Sequence, residues 1–399
     1  MRTHRLSFVF ILLFLVMSVK WSDAQDLNQT VKGNNEFTFS VYGEVNNHPD
    51  NVFFSPYSIS SALAMTYTGA DGVTQKEMAE VFHFLEDKKM LSKHFSQLNT
   101  QFEKYAEEKI QLNIANSLWC QQDYQFRKAF LDINRTYYNA GIHNVNFRDD
   151  YKQIRNDINT WVEDKTENKI KDLIKRGMLD NMTRLVLVNA IYFKGMWEHP
   201  FKEKDTREDT FYLYSTCKTQ AKFMNKTLSL NYYEDGVAQV VEIPYSGEKL
   251  SMMVILPKKK YGMEELESRL SQDLYRTYLG SMHTKKVDLS LPKFTVNAEY
   301  ELSKVLKEMG MKSAFGEGAD FSEMTGNKDL FINNIVHKSF VDVNEEGTEA
   351  AAATGVVMRK TSAIMETVEF KADHPFIFLI KDRETNSILF MGRLMNPRK

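Results

Sequence analysis

Residues 185–193 read LVLVNAIYF, a continuous apolar run with the length of a β-strand. Apolar side chains at successive positions predict a strand that is buried on both faces of a sheet. The polar exception is Asn189, and an amide is costly to bury unless it is hydrogen-bonded. The stretch therefore predicts an interior strand with a hydrogen-bonded amide at its middle.

Helical patterns lie mostly toward the front of the chain and strand patterns toward the back, which predicts the α+β class. Helical patterns cover residues 34–45, 58–68, 92–105 and 149–166. Thr74-Gln-Lys-Glu77 fits a capping box that opens another, short helix. Strand patterns cover residues 251–256 and 287–291, and a final hairpin is predicted from residues 376–380 and 387–393.

The composition is that of a folded protein with nearly balanced charge. The 399 residues include 51 basic and 53 acidic side chains, for a formal net charge of -2. This balance provides no overall field for nucleic acid or an anionic membrane, so neither is a predicted partner. Hydrophobic residues make up 43% of the chain, enough for a large core. Since no linker or repeat interrupts it, one large domain is predicted over residues 25–399.

The N-terminus has the pattern of a processing segment. Three basic residues lie within the first five, residues 6–19 are almost all apolar, and small residues stand at Ser22 and Ala24. Such a run is short for a membrane span and typical of a cleaved secretory signal rather than an anchor helix. We therefore expect residues 1–24 to be a signal peptide and the protein to be secreted and extracellular.

If the protein is secreted, its glycosylation motifs and its cysteine count can be interpreted. The acceptor pattern Asn-x-Thr occurs at Asn28, Asn134, Asn181 and Asn225. Two cysteines, Cys120 and Cys217, are too few for a disulfide scaffold, so the core must supply the stability. Whether these two pair or remain free thiols stays open at this point.

Motifs of enzymes are missing from the sequence. It contains no G-x-S-x-G elbow, H-E-x-x-H, P-loop or dinucleotide glycine pattern, and its histidines lack the spacing of metal ligands. Glu345 and Glu346 are adjacent acids, but neighbours on an extended chain point to opposite faces. The sequence predicts no catalytic function, no metal and no cofactor.

The segment 344–370 reads NEEGTEAAAATGVVMRKTSAIMETVEF. Taken as a strand, it has one face formed by Thr348, Ala350, Ala352, Thr354, Val356 and Met358. All of these are small or apolar, and no proline removes a ladder hydrogen bond, so the segment could enter a sheet. Alanine also favours helices, so the segment by itself is equally compatible with a helix or a linker.

A set of ordered motifs decides between these possibilities because together they resemble the serpin family over residues 30–397. The motifs are NVFFSPYS (51–58), LVNAIYFKGMW (187–197), LPKF (291–294), ADFS (319–322), His337, EGTEA (346–350), HPF (374–376) and FMGR (390–393). Each is weak alone, but all of them fall in the family's order and at its spacing.

The resemblance implies a fold of three β-sheets and about nine helices with an exposed reactive loop at about residues 345–369. Its hinge would be Glu345, Glu346, Gly347, Thr348, Glu349, Ala350, Ala351, Ala352 and Ala353. The implied function is inhibition of a serine protease, which is trapped in a covalent complex when the loop inserts into the central sheet of a monomeric inhibitor. The alternative is a non-inhibitory serpin that acts as a carrier, chaperone or storage protein. Such members typically have bulky, charged or proline residues in the hinge.

The resemblance also assigns residues to sheet opening. Ser55, Ser58, Asn189 and His337 match family positions beneath the sheet, where strands must part. Trp197 matches the top of the sheet, where insertion starts. We expect the first four to form one polar network.

Two registers are possible for the bond that a protease would cut. The commonest loop length of the family places it between Thr361 and Ser362, which predicts an elastase-like target. Chemistry favours Lys360–Thr361, because Arg359 and Lys360 suit a protease pocket with an acidic base. We favour the second register and a trypsin-like target.

The helix predicted at residues 92–105 corresponds to a segment that binds heparin in some serpins. Its basic residues, Lys93, His94 and Lys104, are offset by Glu103, Glu107 and Glu108. We therefore expect no strong heparin site.

Overall fold

The computed structural model describes residues 27–46, 49–105, 110–214, 217–348 and 366–398. Ten α-helices lie within these residues: α1 (27–45), α2 (Pro56–Tyr67), α3 (Gly72–Phe82), α4 (Lys88–Tyr105), α5 (Lys128–Ile133), α6 (Phe147–Lys165), α7 (Met263–Glu267), α8 (Gln272–Ser281), α9 (Leu302–Glu308) and α10 (Ser322–Thr325). Short π- and 3-10-helical turns occur at Asn134–Tyr138, Glu203–Asp205 and Ser313–Phe315.

The same residues contain fifteen strands: β1 (Val52–Phe54), β2 (Ile110–Gln121), β3 (Gly141–Val145), β4 (Leu185–Met196), β5 (Arg207–Tyr214), β6 (Cys217–Glu234), β7 (Ala238–Pro244), β8 (Leu250–Pro257), β9 (His283–Pro292), β10 (Phe294–Glu301), β11 (Asn334–Val343), β12 (Gly347–Thr348), β13 (Thr367–Lys371), β14 (Phe376–Asp382) and β15 (Ile388–Leu394). The α+β class is confirmed, and β14 and β15 form the expected final hairpin.

A six-stranded sheet in the order β10-β11-β12-β4-β2-β3 carries the predicted interior strand as β4. On one edge, β4 pairs antiparallel with β2 from Leu185 to Gly195. On the other edge it pairs in parallel with β11, from Val186↔Asn334 to Tyr192↔Phe340. Alternate side chains of β4 enter two separate apolar cores, with Leu187 in one and Val188 in the other. The apolar run is therefore explained by burial of both faces.

The second sheet has nine strands, and its long strand β6 connects two regions. The first part of β6 pairs with β5 and β9, and its last residues pair with β7, which continues to β8, β14, β15 and β1. The three sheets implied by the resemblance correspond to the six-stranded sheet and to these two regions.

Helix α6 covers the outer face of the six-stranded sheet. Ile154, Ile158 and Val162 are buried against β2 and β4, as the amphipathic pattern predicts. Trp161 from the same stripe is half-buried and meets Trp119 of β2 edge-on at 6.4 Å between ring centroids. The helix thus closes the smaller of the two cores.

The capping box at the start of α3 was predicted wrongly. The helix begins earlier, with Asp71 as its N-cap. Thr74 accepts a hydrogen bond from the backbone N–H of Asp320 at 2.9 Å, and Glu77 accepts one from Ser313 at 2.7 Å. Both side chains bind distant chain segments instead of their own helix, so tertiary contacts override the local motif.

Both cysteines are free thiols. Cys120 is fully buried, and burial raises the pKa of its thiol, while Cys217 is half-buried. Among the described helices, none is both long and apolar enough to span a membrane.

Candidate functional site

The predicted hinge residues Gly347 and Thr348 form a short strand, β12, at one end of the six-stranded sheet. On one edge Gly347 pairs with Met196 and Thr348 with Gly195; on the other edge Thr348 pairs with Val343. β12 therefore separates the ends of β4 and β11, which pair directly with each other further along. The sheet is already parted where the predicted loop begins.

Gly347 fits this position because it has no side chain. A Cβ atom there would lie 2.1 Å from the carbonyl oxygen of Gly195 and 2.6 Å from Cα of Met196. Backbone atoms cannot yield to such contacts without moving a strand. Any other residue at 347 would therefore displace β12 from β4.

Thr348 is fully buried and points into the main core. Its hydroxyl lies 2.8 Å from the hydroxyl of Tyr245, whose ring stacks on Trp197 with 4.7 Å between centroids. The indole N–H of Trp197 donates to the carbonyl of Asn344 at 3.0 Å. Trp197 thus lies just after β4 and holds the turn that precedes β12.

Glu345 anchors that turn from the other side. Its carboxylate accepts from Nζ of Lys293 at 2.6 Å and from the hydroxyl of Thr206 at 2.8 Å, and its carbonyl accepts from the N–H of Phe201 at 2.7 Å. Burial raises the pKa of Glu345, but the hydrogen bonds from Lys293 and Thr206 outweigh it and leave the pKa below its ordinary value. The carboxylate is therefore ionised at neutral pH.

The predicted sheet-opening residues Ser55, Ser58, Asn189 and His337 form one buried network. Ser55 caps α2 by accepting the N–H of Ser58 at 3.1 Å, and its own hydroxyl donates to the carbonyl of Leu389 at 2.6 Å. The amide of Asn189 donates to the carbonyl and hydroxyl of Ser58, at 2.9 and 2.6 Å. The network ties the start of α2 to the middle of β4.

His337 closes the network across the strand boundary. Its Nε2 accepts the backbone N–H of Ser55 at 3.1 Å, so the proton of the neutral ring resides on Nδ1, which donates to Oδ1 of Asn189. Burial lowers the pKa of His337 from 6.5 to about 3, so the ring is neutral at physiological pH. The pair His337–Asn189 joins β11 directly to β4.

Sequence reasoning missed four residues of these two clusters. Tyr245, Lys293 and Thr206 contact the hinge, and Asn116 of β2 accepts from the amide of Asn189. Lys293 lies in the motif LPKF, but the motif does not indicate that its side chain binds Glu345. Tyr245 and Thr348 are 103 residues apart, so only the folded arrangement brings them together.

The remaining predicted residues of the loop, Glu349, Ala350, Ala351, Ala352, Ala353, Arg359, Lys360, Thr361 and Ser362, lie outside the described residues, as do residues 1–24. The two possible cleavage registers and the signal peptide therefore remain predictions.

The four glycosylation motifs differ in accessibility. Asn28 and Asn181 are exposed. Asn134 is fully buried, and its Nδ2 donates to the hydroxyl of Thr68 at 3.2 Å and the carbonyl of Phe130 at 3.0 Å. A glycan would replace one of these hydrogens, so the prediction of a glycan at Asn134 is not compatible with this fold. Asn225 is half-buried, with its Nδ2 bonded to two backbone carbonyls.

The basic residues of α4 do not form one exposed surface. His94 is buried, with Nδ1 2.7 Å from the hydroxyl of Thr30. Lys93 and Lys104 lie, with Lys249, along a groove of about 750 Å³ that Glu384 also lines. That the protein has no strong heparin site stays a prediction.

Comparisons with known proteins agree with the whole-chain resemblance. The family profile described as Serpin (serine protease inhibitor) matches residues 32–397. An uncharacterized serpin-like protein of Thermococcus kodakarensis is 42% identical over 91% of this chain and 85% of its own length. Leukocyte elastase inhibitor of Equus caballus is 38% identical over 93% of this chain and 100% of its own. The crystal structure of human thyroxine-binding globulin complexed with thyroxine superposes with a TM-score of 0.84, at 30% identity, over 93% of this chain and 99% of that one.

Proposed function

This chain belongs to the serpin family, and from that membership we propose that it is a secreted inhibitor that traps serine proteases as acyl-enzymes by inserting its reactive loop into the six-stranded sheet. The observation that carries the proposal is strand β12, since the hinge already pairs with β4 and β11 at the end of this sheet.

The register of β12 defines where the next residues of the loop would go. Six residues after Thr348, Thr354 would meet Asn189, which is six residues before Gly195 on β4. It would also meet His337, which is six residues before Val343 on β11. Insertion would therefore pass through the hydrogen bond that closes the two strands, and this supports a role for the buried network in resisting sheet opening.

The chemistry of the loop suits that path. Thr348 faces the core, so Ala350, Ala352, Thr354, Val356 and Met358 would face it too on an extended strand. These side chains are small or uncharged and would require little repacking, whereas a charged residue would have to be buried without a partner. This hinge favours an inhibitor over a carrier.

The length of the inserted segment explains how the protease would be trapped. The protease serine attacks the carbonyl of the scissile bond and forms an acyl-enzyme, and the C-terminal part of the loop leaves with the released amine. About a dozen inserted residues at roughly 3.3 Å each would carry the tethered protease on the order of 40 Å. Deacylation needs precise geometry, and a displacement of about 1 Å can slow such a step roughly a hundredfold. Distortion of the oxyanion hole would therefore preserve the covalent bond.

A trypsin-like protease is the favoured target because of Arg359 and Lys360, and an elastase-like protease is the alternative, which the similarity to leukocyte elastase inhibitor also supports. The likeness to thyroxine-binding globulin favours a carrier as the second candidate function.

Incubation of the purified protein with trypsin-like and elastase-like proteases tests the proposal. We expect a complex that survives SDS, and a released C-terminal peptide that begins at Thr361 with a trypsin-like target or at Ser362 with an elastase-like one. A loop that is cleaved by both classes without any covalent complex would contradict the inhibitory function and favour the carrier.

A further inference from the structure

The side chain that receives the hinge is Tyr245, which no sequence motif identifies. Its hydroxyl and that of Thr348 are 2.8 Å apart, and both residues are fully buried. Within the described part of the chain, Thr348 provides the one side-chain hydrogen bond recorded for this hydroxyl. A buried hydroxyl without a partner is unfavourable, so this contact favours Thr348 at its inserted position.

The ring of Tyr245 is held in place by contacts that do not involve the hinge. It stacks on Trp197 at an interplanar angle of 9° and meets Phe193 edge-on at 5.1 Å between centroids. The backbone N–H of Tyr245 donates to Leu250, and that of Ser246 donates to Met196 of β4. The hydroxyl therefore occupies a preformed position at the end of β4.

We propose that Tyr245 is a positioning residue that captures the hydroxyl of Thr348 and so holds the first residue of the inserting strand between β4 and β11. The effect of this capture on inhibition rests on the proposed function. A hinge that is already paired can continue into the sheet sooner after the loop is cut. The capture itself is a property of the intact protein.

The chemistry predicts an unusual mutational pattern. Tyr245→Phe leaves the hydroxyl of Thr348 buried without its partner, and Thr348→Val does the same to Tyr245. The double variant makes both sides apolar, which can be nearly neutral. Each single change should therefore weaken the pairing of β12 by about one to two orders of magnitude, and the double change should restore most of it.

Hydrogen–deuterium exchange of residues 344–348 in the uncut, full-length protein measures this pairing. We expect exchange about tenfold faster or more in each single variant and close to wild type in the double variant. Tyr57→Phe is the matched control, because Tyr57 is also buried but donates to Asn99 at 2.7 Å, and it should leave this exchange unchanged. Single variants that exchange like wild type, or a double variant no slower than the singles, would overturn the capture.

A second readout links the capture to inhibition. The number of inhibitor molecules consumed per protease trapped should rise severalfold in each single variant and return toward the wild-type number in the double variant. If the wild type traps no protease, the proposed function fails, while the exchange pattern still decides whether Tyr245 holds the hinge.

Discussion

Two points on β4, six residues apart, are built in opposite ways. At Gly195 the strand is separated from β11 by the inserted residues of β12. At Asn189 it pairs directly with β11, and the side chains of Asn189 and His337 close the boundary. At Gly195 the sheet has space that Gly347 and Thr348 fill. At Asn189 the buried polar groups of β4 and β11 already hydrogen-bond to each other.

If the loop inserts as proposed, the difference between these two points indicates where insertion would begin and where it would be resisted. At the hinge end, a new strand adds hydrogen bonds without breaking any between β4 and β11. In the middle, each step must replace an existing contact, and a buried polar group that loses its partner costs about 1–3 kcal/mol. The proposed insertion would therefore start at the open end of the sheet and meet resistance at the centre, where β4 and β11 pair directly.

The largest expected effect is on the yield of covalent complex, when a charged side chain replaces Thr348 in β12. Thr348→Arg would place a guanidinium in a fully buried site beside Tyr245, where it has no anionic partner among the described contacts. We expect the variant to be cleaved as a substrate and its covalent complex to fall at least about tenfold, as measured on SDS gels. Thr348→Ser keeps the hydroxyl and should retain the complex. Full complex yield in the arginine variant would contradict insertion at this site.

The polar network at the middle of β4 is tested by removing the side-chain amide of Asn189. Asn189→Ala removes the partner of Nδ1 of His337 and the donor to the carbonyl and hydroxyl of Ser58, so we expect the free energy of unfolding to fall by about 2–4 kcal/mol in chemical denaturation. Asn297→Ala on β10 of the same sheet is the control, because its side chain is exposed, and should change stability by less than about 0.5 kcal/mol. Equal effects of the two changes would argue against a network that holds the strands together.

The same centre should respond to pH. The pKa of His337 is lowered from 6.5 to about 3 in the folded protein, so the unfolded chain binds more protons in this window. Its stabilising contribution is complete above pH 6.5 and is lost as pH falls toward 3. Between pH 6.5 and 5 the loss should be about 1.5–2 kcal/mol. Denaturation curves of His337→Gln should show a loss smaller by that amount, whereas an identical loss would exclude His337 as the titrating group.

The smallest expected effect concerns the ion pair at the hinge turn. Lys293→Met removes the partner of Glu345 but keeps the length of the side chain. Because the amine is about a third exposed and solvent screens the pair, we expect a loss of about 1 kcal/mol or less, together with faster exchange of residues 344–348. Lys304→Met, which removes an exposed partner of Glu308, should change neither quantity.

The sequence predicts the strand β4, the α+β class and the amphipathic helix α6 because each depends on a local period of side chains. These three predictions are confirmed because burial imposes a repeating pattern along one element. The hinge and the sheet-opening role of the four polar residues rest on the resemblance to a family and stay predictions.

Contacts between distant segments have no such pattern. Tyr245 and Lys293 reach the hinge from strands and turns far away in the chain, and Thr74 bonds to Asp320 instead of capping its own helix. The motif at Asn134 is similarly local, while its burial is decided by Thr68 and the helix α5 that pack around it. Such features depend on packing that a single sequence does not display.

Under the proposed mechanism, the intact protein has not reached its most stable state, because the loop would still become a strand between β4 and β11. Thermal unfolding of the protein before and after a single cut in the loop tests this directly. We expect the melting temperature of the cut protein to rise by more than about 10 °C, since the added strand would contribute on the order of 10 kcal/mol. A cut protein that melts at or below the temperature of the intact one would contradict it.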